Sequence, residues 1–257
     1  MTYQTYDFLL HTAANPVFLL FIFFSTICSY SFHWYLTTDS VVPSHRINWL
    51  LKNRLVHILF FMVGAIGAGM YFFALLQYWP WLVASAIITF LYSAPKIPHK
   101  YFRLLRRVAL GKTIFLAFAW MYVTTVLPIV ISPAPWNNYY LLFIGSRFFL
   151  IYAICILFDH RDRQDDKAAG IKSLITYLSK EQIFLLFIFS LIVFVACTLG
   201  LLFFNYPAWQ ILIILLPGII TALLYKKAIT DYSDMFYYFV LDGLMALSAV
   251  LLLIMRI

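Results

Sequence analysis

The sequence predicts an all-α membrane protein of about eight transmembrane helices, and three observations support this fold class. First, 64% of the 257 residues are apolar and 20% are aromatic, whereas only 11% are charged. Ordinary globular domains carry roughly 25% charged residues, so this chain has too little polar surface to be surrounded by water. Second, the apolar residues are gathered into long runs. Third, the basic residues recur at alternate connections between those runs.

Eight apolar runs are candidates for spanning helices, each of which needs roughly 20 mostly apolar residues. The third and seventh runs are short, and we expect them to extend into their flanks. Because proline ends a helix and presets a turn, Pro80 and the stretches 133–137 and 205–208 mark turns between spans. The runs are 16–37, 54–77, 81–95, 108–131, 138–158, 182–204, 209–225 and 236–255.

The basic residues indicate how these spans are oriented. Of the 18 Lys and Arg residues, 16 lie in the first, third, fifth and seventh connections. The positive-inside rule makes those connections cytoplasmic and places both termini outside. We expect a multi-pass protein, located in the bacterial inner (cell) membrane. The formal net charge of +8 is then explained by the basic residues of the cytoplasmic connections. Nucleic acid is therefore not an expected partner.

Three of the ten acidic residues follow the fifth span at helical spacing. If that span continues as a helix, Asp159, Asp162 and Asp166 stand at i, i+3 and i+7 on one narrow face. Like charges repel at this spacing, so the face favours a bound cation. Mg²⁺ characteristically bridges one or two carboxylates to substrate phosphates, which Lys167 and Lys172 can also contact. The alternative is a solvated acidic loop whose charges are compensated by neighbouring Arg and Lys residues.

Two sequence patterns carry a resemblance to a known family. One has the form DxxDxxxD followed by xxxGx(K/R)(S/T)L, and the other is Tyr-x-x-x-Lys, present here as Tyr92 and Lys96. The first pattern is matched without a gap by Asp159, Asp162, Asp166, Gly170, Lys172, Ser173 and Leu174. With both patterns the chain resembles the UbiA superfamily of intramembrane prenyltransferases.

The resemblance implies roles for these residues. Asp159, Asp162 and Asp166 would be catalytic residues that hold Mg²⁺ against the diphosphate of a prenyl substrate. The substrate diphosphate itself would be bound by Tyr92, Lys96, Lys172 and Arg46.

The first aspartate motif of the family reads approximately NDxxDxxxDxxVPxxR, and here the chain departs from the pattern. Pro43 and Arg46 fall on its last conserved positions. The Asn and three Asp positions then carry Ser31, Phe32, Tyr35 and Asp39. Asp39 keeps a carboxylate for a metal ion, whereas Phe32 cannot bind one.

The resemblance also implies a helical bundle around a central cavity. The family has two spans before the first motif, four between the motifs and three after the second. This chain has the same numbers between and after the motifs but only one span before the first motif. The family's first helix therefore has no counterpart; it is either absent or precedes the first residue of this sequence. We expect residues 1–257 to form a single transmembrane prenyltransferase-like domain.

Two charged residues lie well inside predicted spans, away from the basic residues at the span ends. Arg147 falls midway along the fifth span and Asp242 falls in the eighth. A charge in hydrocarbon is costly, so each should face the bundle interior or water. They could line the cavity and orient an acceptor or transfer a proton. Alternatively, each is a buried ion-pair partner or a hydrogen-bonded polar anchor.

The leading functional hypothesis is Mg²⁺-dependent transfer of a prenyl group from a polyprenyl diphosphate to an acceptor in the membrane. The expected partners are a prenyl diphosphate, a lipophilic or aromatic acceptor, and membrane lipids. The alternative is a non-catalytic UbiA-like protein that binds an isoprenoid or lipid, which the altered first motif favours. A small-solute transporter is a third possibility, but no repeated half or pair of broken helices supports it.

Overall fold

The computed structural model describes residues 1–36, 45–94, 97, 112–168 and 173–255, with residues 45–47 and 112 described by their backbone alone. Within these residues the regular structure is helical and no strand occurs, so the predicted all-α class is confirmed. The α-helices are α1 (Thr2–Gln4), α2 (Pro16–Tyr35), α3 (His45–Lys52), α4 (Arg54–Ala74), α5 (Trp79–Ser93), α6 (Lys112–Met121), α7 (Leu127–Ile131), α8 (Tyr140–Ala168), α9 (Leu174–Tyr177), α10 (Lys180–Gly200), α11 (Ala208–Ala228) and α12 (Asp242–Ile254).

Shorter turns extend several of these helices. π-Helical turns cover Thr5–Leu9, Tyr122–Val126 and Phe236–Leu241. The first of them follows α1, the second joins α6 to α7, and the third leads into α12. Turns of 3₁₀ helix cover Leu76–Tyr78 and Leu201–Phe204.

Seven segments of the described chain are long and apolar enough to cross a membrane. The predicted span 81–95 corresponds to α5, which is shorter than these seven at 15 residues. Seven apolar helices on one chain are the mark of an integral, multi-pass membrane protein. The seven are Pro16–Tyr35, Arg54–Ala74, Thr113–Ile131, Tyr140–Ala168, Lys180–Phe204, Ala208–Ala228 and Phe236–Ile254.

Local sequence explains where α2 and α10 begin. The side chain of Asn15 accepts hydrogen bonds from the backbone N–H groups of Val17 and Phe18, and Pro16 occupies the first helical position. Both features are typical of a helix N-terminus. At the start of α10, Ser179 and Gln182 form a reciprocal capping box.

Helix α8 is the centre of the bundle. Every residue from Leu150 to Leu157 is buried, as expected of a helix that is apolar on all sides. It packs against α10 on one side and α6 on the other. In the most apolar stretch of α8, 61% of the residues are buried. In the corresponding stretches of α2 and α4 only 17% are buried, so those two helices are peripheral.

The pair of α2 and α4 is held together by close backbone approach. A Cβ atom added at Gly64 would lie 2.5 Å from the backbone N of Cys28, and one added at Gly67 would lie 2.4 Å from the ring of Phe24. Small residues at such contacts let membrane helices approach closely. The two glycines therefore set the distance between α2 and α4.

The N-terminal segment, which comprises α1 and the turn Thr5–Leu9, lies in the protein core, a feature that the sequence did not predict. Tyr6, Phe8 and Leu9 are almost fully buried. The Thr5 hydroxyl donates a hydrogen bond to the carbonyl of Thr124 at 2.7 Å, and the Tyr206 hydroxyl donates to that of Leu9 at 3.4 Å. The segment thus closes one end of the bundle.

Candidate functional site

The three aspartates of the predicted second motif lie on one continuous helix. α8 extends beyond the predicted span 138–158 and continues unbroken to Ala168, so Asp159, Asp162 and Asp166 have the expected helical spacing. Their exposure differs: Asp159 and Asp166 are each 5% exposed, whereas 38% of the Asp162 side chain is exposed. Asp162 is therefore the motif carboxylate most open to a ligand.

Two of these carboxylates have described hydrogen-bond partners. The hydroxyl of Thr113, in the first turn of α6, donates a short hydrogen bond to Oδ2 of Asp159. Nε of Arg161 donates to Oδ1 of Asp162 at 2.8 Å. A buried carboxylate is costly unless it is paired or hydrogen-bonded, and the Thr113 hydroxyl supplies such a bond to Asp159 inside the bundle.

The ends of α2 and α5 meet beside this region. The ring of His33 stacks on that of Tyr92, with centroids 5.0 Å apart, and Nδ1 of His33 lies 3.1 Å from the hydroxyl of Ser93. The Tyr-x-x-x-Lys element therefore contacts the part of α2 on which the altered first motif begins.

That part of α2 supplies no carboxylate. Phe32 packs between Phe61 and Phe90, at centroid distances of 5.9 Å and 6.4 Å. Ser31 is buried, and Tyr35 is 42% exposed. None of these three side chains replaces a charged metal ligand.

Four further predicted site residues have no described side chain. Asp39, Lys96 and Lys172 fall outside the described residues, and Arg46 lies in α3 with only its backbone described.

The connection between α11 and α12 also reaches the site, and the sequence did not predict this. The hydroxyl of Tyr238 accepts a hydrogen bond from Nη2 of Arg161 at 2.8 Å, and Oδ1 of Asp234 lies 3.8 Å from Nη1 of the same side chain. The ring of Tyr238 lies 6.3 Å from that of Trp34 in α2. Neither Tyr238 nor Asp234 belongs to a motif, and no local pattern signals the contact.

A turn within this connection is fixed by a side chain. Oδ1 of Asp231 accepts a hydrogen bond from the backbone N–H of Ser233 at 2.9 Å. This bond lowers the pKa of the Asp231 carboxyl below its ordinary value, because it favours the charged form.

The chemistry of the donor set suits a divalent cation on α8. In the part of the chain that the structure describes, no group of three or more His, Cys, Asp or Glu side chains is placed to hold a metal ion. Mg²⁺ is usually held by one or two carboxylates together with water and substrate phosphates. A cation at Asp162 would therefore need further ligands from outside the described residues, since residues 16–35 of α2 add no acidic ligand.

Arg147 is held in the core by the N-terminal segment. It is 4% exposed, and its Nη2 donates to Oε1 of Gln4 at 2.6 Å. Its Cζ lies 5.1 Å from the ring centroid of Phe143. These contacts support the interpretation of Arg147 as a hydrogen-bonded anchor.

Asp242 occupies a different place in the bundle. It is the first residue of α12 and is half-buried. A cavity role for Asp242 or Arg147 stays a prediction.

The chain matches the family model described as the UbiA prenyltransferase family over residues 36–239. Comparisons with curated proteins and with solved structures found no match. Members of this family are in general membrane prenyltransferases that use a divalent metal, a prenyl diphosphate and a lipophilic acceptor. Since the match takes in most of the chain, this multi-pass membrane protein belongs to the UbiA prenyltransferase family.

Proposed function

We propose that this protein transfers a prenyl group from a polyprenyl diphosphate to a lipophilic or aromatic acceptor within the membrane, in a Mg²⁺-dependent reaction. The observation that carries the proposal is the continuation of α8 from a buried apolar core into a face with three carboxylates. Like charges on one helix face are unfavourable unless a cation compensates them. Family membership supports the same chemistry.

The motif aspartates would not all act in the same way. Asp162 is the most exposed of the three and would bind the cation directly. Asp159, which accepts from Thr113, and the buried Asp166 complete the acidic face. Bound Mg²⁺ would stabilise the negative charge that develops on the departing diphosphate.

Basic and aromatic residues from other connections would bind the diphosphate. We assign this role to Lys96, Lys172 and Arg46, because cations placed around a leaving anion stabilise it electrostatically. Tyr92 would add a hydroxyl donor. The contact of Tyr92 with His33 supports the assignment, since it brings the Tyr-x-x-x-Lys element against α2. Asp39 is the remaining candidate ligand from the first motif.

The proposal includes a location and a domain organisation. The basic connections would face the cytoplasm at the bacterial inner membrane. Residues 1–257 would act as one domain, since Gln4 near one end of the chain bonds to Ser248 near the other.

Incubation of the purified protein, in lipid nanodiscs, with radiolabelled polyprenyl diphosphates and mixed membrane lipids tests this function. We expect Mg²⁺-dependent release of pyrophosphate together with label transferred to a lipid. Asp162→Asn should lower the rate by about 10²-fold, because it removes charge that stabilises the transition state. Asp165→Asn, the same change outside the motif on the same helix, should leave it near the wild-type rate. Absence of release with every chain length would contradict the proposal.

A second candidate function is supported by the packing of Phe32 between two aromatic rings. It is a non-catalytic family member that binds an isoprenoid or lipid. The same incubation separates the two functions, since a binding protein would retain the labelled diphosphate intact. Bound label with no pyrophosphate release would favour this second function.

A further inference from the structure

Arg161 is a buried cation inside the second aspartate motif for which the proposed function gives no role. Only 8% of its side chain is exposed. Nε donates to Asp162 and Nη2 donates to Tyr238, each at 2.8 Å. Among the described residues Nη1 has no hydrogen-bond partner, although Oδ1 of Asp234 lies 3.8 Å away. One guanidinium is thus shared between the motif and a segment 77 residues further along the chain.

Three aromatic rings surround this guanidinium. Its Cζ atom lies 5.4 Å from the ring centroid of Phe158, 4.6 Å from that of Tyr237 and 4.9 Å from that of Tyr238. Cation–π attraction is stronger where water is excluded, and the planar guanidinium bonds its partners at fixed angles. The rings therefore help to determine the direction in which Arg161 presents its donors.

The segment that holds Arg161 is itself fixed to the bundle. Oη of Tyr237 lies 2.6 Å from the carbonyl oxygen of Ala228 and 3.3 Å from that of Leu157. This hydroxyl joins the turn Phe236–Leu241 to both α11 and α8. The turn is π-helical, a geometry that frequently occurs at functional sites. Arg161 is consequently held by a rigid part of the fold.

We propose that Arg161 is a positioning residue for Asp162 and that Tyr238, by holding Arg161, sets the Mg²⁺ affinity of the site. The inference rests on the proposed function. Arg161 engages Oδ1 of Asp162, whereas Oδ2 has no partner in the described part of the chain. A carboxylate fixed through one oxygen presents the other in a defined direction. Partners that orient a metal ligand change metal affinity by about 10–100-fold.

Tyr238→Phe tests the proposal, because it removes the hydroxyl and keeps the ring. The purified protein in nanodiscs is titrated with Mg²⁺, and two midpoints are measured. The first is the Mg²⁺ concentration that gives half-maximal pyrophosphate release from a prenyl diphosphate. The second is the Mg²⁺ concentration that gives half-maximal thermal stabilisation in the presence of inorganic pyrophosphate. We expect both midpoints to rise by about tenfold. The rate at saturating Mg²⁺ should stay within about twofold of wild type, since only binding is weakened.

Two further variants make the test specific. Tyr232→Phe removes an exposed hydroxyl of the same connection, whose partner is the carbonyl of Ile229 at 3.1 Å, and should leave both midpoints unchanged. Arg161→Gln should raise the midpoints at least as far as Tyr238→Phe does. Adding Tyr238→Phe to Arg161→Gln should then have no further effect, because residues that act through one another are not additive. If Arg161→Gln does not fold, the two tyrosine variants still decide the question.

The outcomes separate this inference from the proposed function. If the wild-type protein neither releases pyrophosphate nor is stabilised by Mg²⁺ with pyrophosphate, the proposed function fails and the inference fails with it. If the wild-type protein does both but Tyr238→Phe keeps its Mg²⁺ midpoints, only the positioning role is wrong. The positioning role is also wrong if Tyr238→Phe merely unfolds at a lower temperature, or if Tyr232→Phe shifts the midpoints equally.

Discussion

Arg147 shows how this protein accommodates a cation within its most buried helix. An arginine at the centre of a membrane helix costs about 3 kcal/mol on insertion scales. Here the guanidinium donates to the amide oxygen of Gln4 at 2.6 Å, and the amide nitrogen of Gln4 donates to Ser248 at 3.2 Å. The compensation comes from a neutral side chain that the N-terminal segment carries into the core.

Replacement of Gln4 should therefore destabilise the protein. We expect Gln4→Leu to lower the free energy of unfolding by about 1.5–3 kcal/mol, the contribution of a hydrogen bond to a charged group. Unfolding in mild detergent measures the change, and Gln77→Leu, at an exposed position, is the control. The double variant Gln4→Leu/Arg147→Met should recover most of the loss, because no buried cation remains. Wild-type stability of Gln4→Leu would show that Arg147 does not depend on this contact.

Thr113 is a second residue whose partner gives it a testable role. It is 2% exposed and donates to Asp159. We expect Thr113→Val, which keeps the shape but lacks the donor, to raise the Mg²⁺ concentration for half-maximal pyrophosphate release by about tenfold. Thr113→Ser keeps the hydroxyl and should behave like wild type. If the Val and Ser variants need the same Mg²⁺ concentration for half-maximal release, Thr113 does not contribute to Mg²⁺ binding.

The sequence predicted charged residues for the proposed site but not the partners that the structure gives them. Asp159 and Asp162 were found from helical spacing, which depends on nearby residues alone. Their contacts join positions far apart in the chain: Thr113 lies 46 residues before Asp159, and Tyr238 lies 77 residues after Arg161. No local pattern specifies such pairs, because they arise only when helices pack.

At the level of helices, α2 and α4 approach each other closely at Gly64. A Cβ atom at Gly64 would lie within 3 Å of the backbone N, Cα and Cβ atoms of Cys28, whereas one at Gly69 would meet nothing within 4 Å. Gly64 and Gly69 lie on the same helix, but only Gly64 faces a neighbouring helix. A substitution at Gly64 therefore tests helix packing, whereas the same substitution at Gly69 tests helix propensity alone.

We expect Gly64→Ala to lower the free energy of unfolding by about 1–3 kcal/mol, the usual cost of overpacking a close contact. Gly69→Ala should be neutral or gain up to about 1 kcal/mol, because alanine favours the helix. Both variants are measured by the same detergent-unfolding assay. Equal stabilities for the two would mean that the α2–α4 distance is not set by Gly64.

The helices were predicted where apolarity and length identify them. The expected run 16–37 corresponds to Pro16–Tyr35, and the expected run 138–158 begins close to Tyr140. The N-terminal segment was missed, because its polar and aromatic residues form no long apolar run. Helices this short are unstable alone, so tertiary contacts such as that of Thr5 with Thr124 determine its structure.

For the whole molecule, burial separates a core, formed by α8 and the span Thr113–Ile131, from less buried outer helices. α8 is surrounded by protein, whereas α2 and α4 expose most of their apolar surface. In a membrane that surface faces lipid, which is as apolar as the side chains themselves. The apolar composition that excluded a water-soluble fold is therefore explained by the positions of the outer helices.

The orientation of the bundle can be measured with single cysteines. After Cys28, Cys155 and Cys197 are replaced by serine, Asn137→Cys and Ser179→Cys introduce thiols at exposed positions in different connections. The basic connection that contains Ser179 should be cytoplasmic. We expect a membrane-impermeant maleimide to label Asn137→Cys in intact cells and Ser179→Cys only after lysis. The reverse pattern would contradict the predicted orientation.

The hydrogen bond between Gln4 and Ser248 also constrains how the protein is made. These residues are 244 positions apart, so Gln4 leaves the ribosome well before Ser248 and lacks this partner until α12 has been synthesised and inserted. Contacts this distant in sequence form late, since a long loop must close first. The N-terminal segment, although it is translated before the spans that it contacts, should consequently be among the last segments to reach its native position.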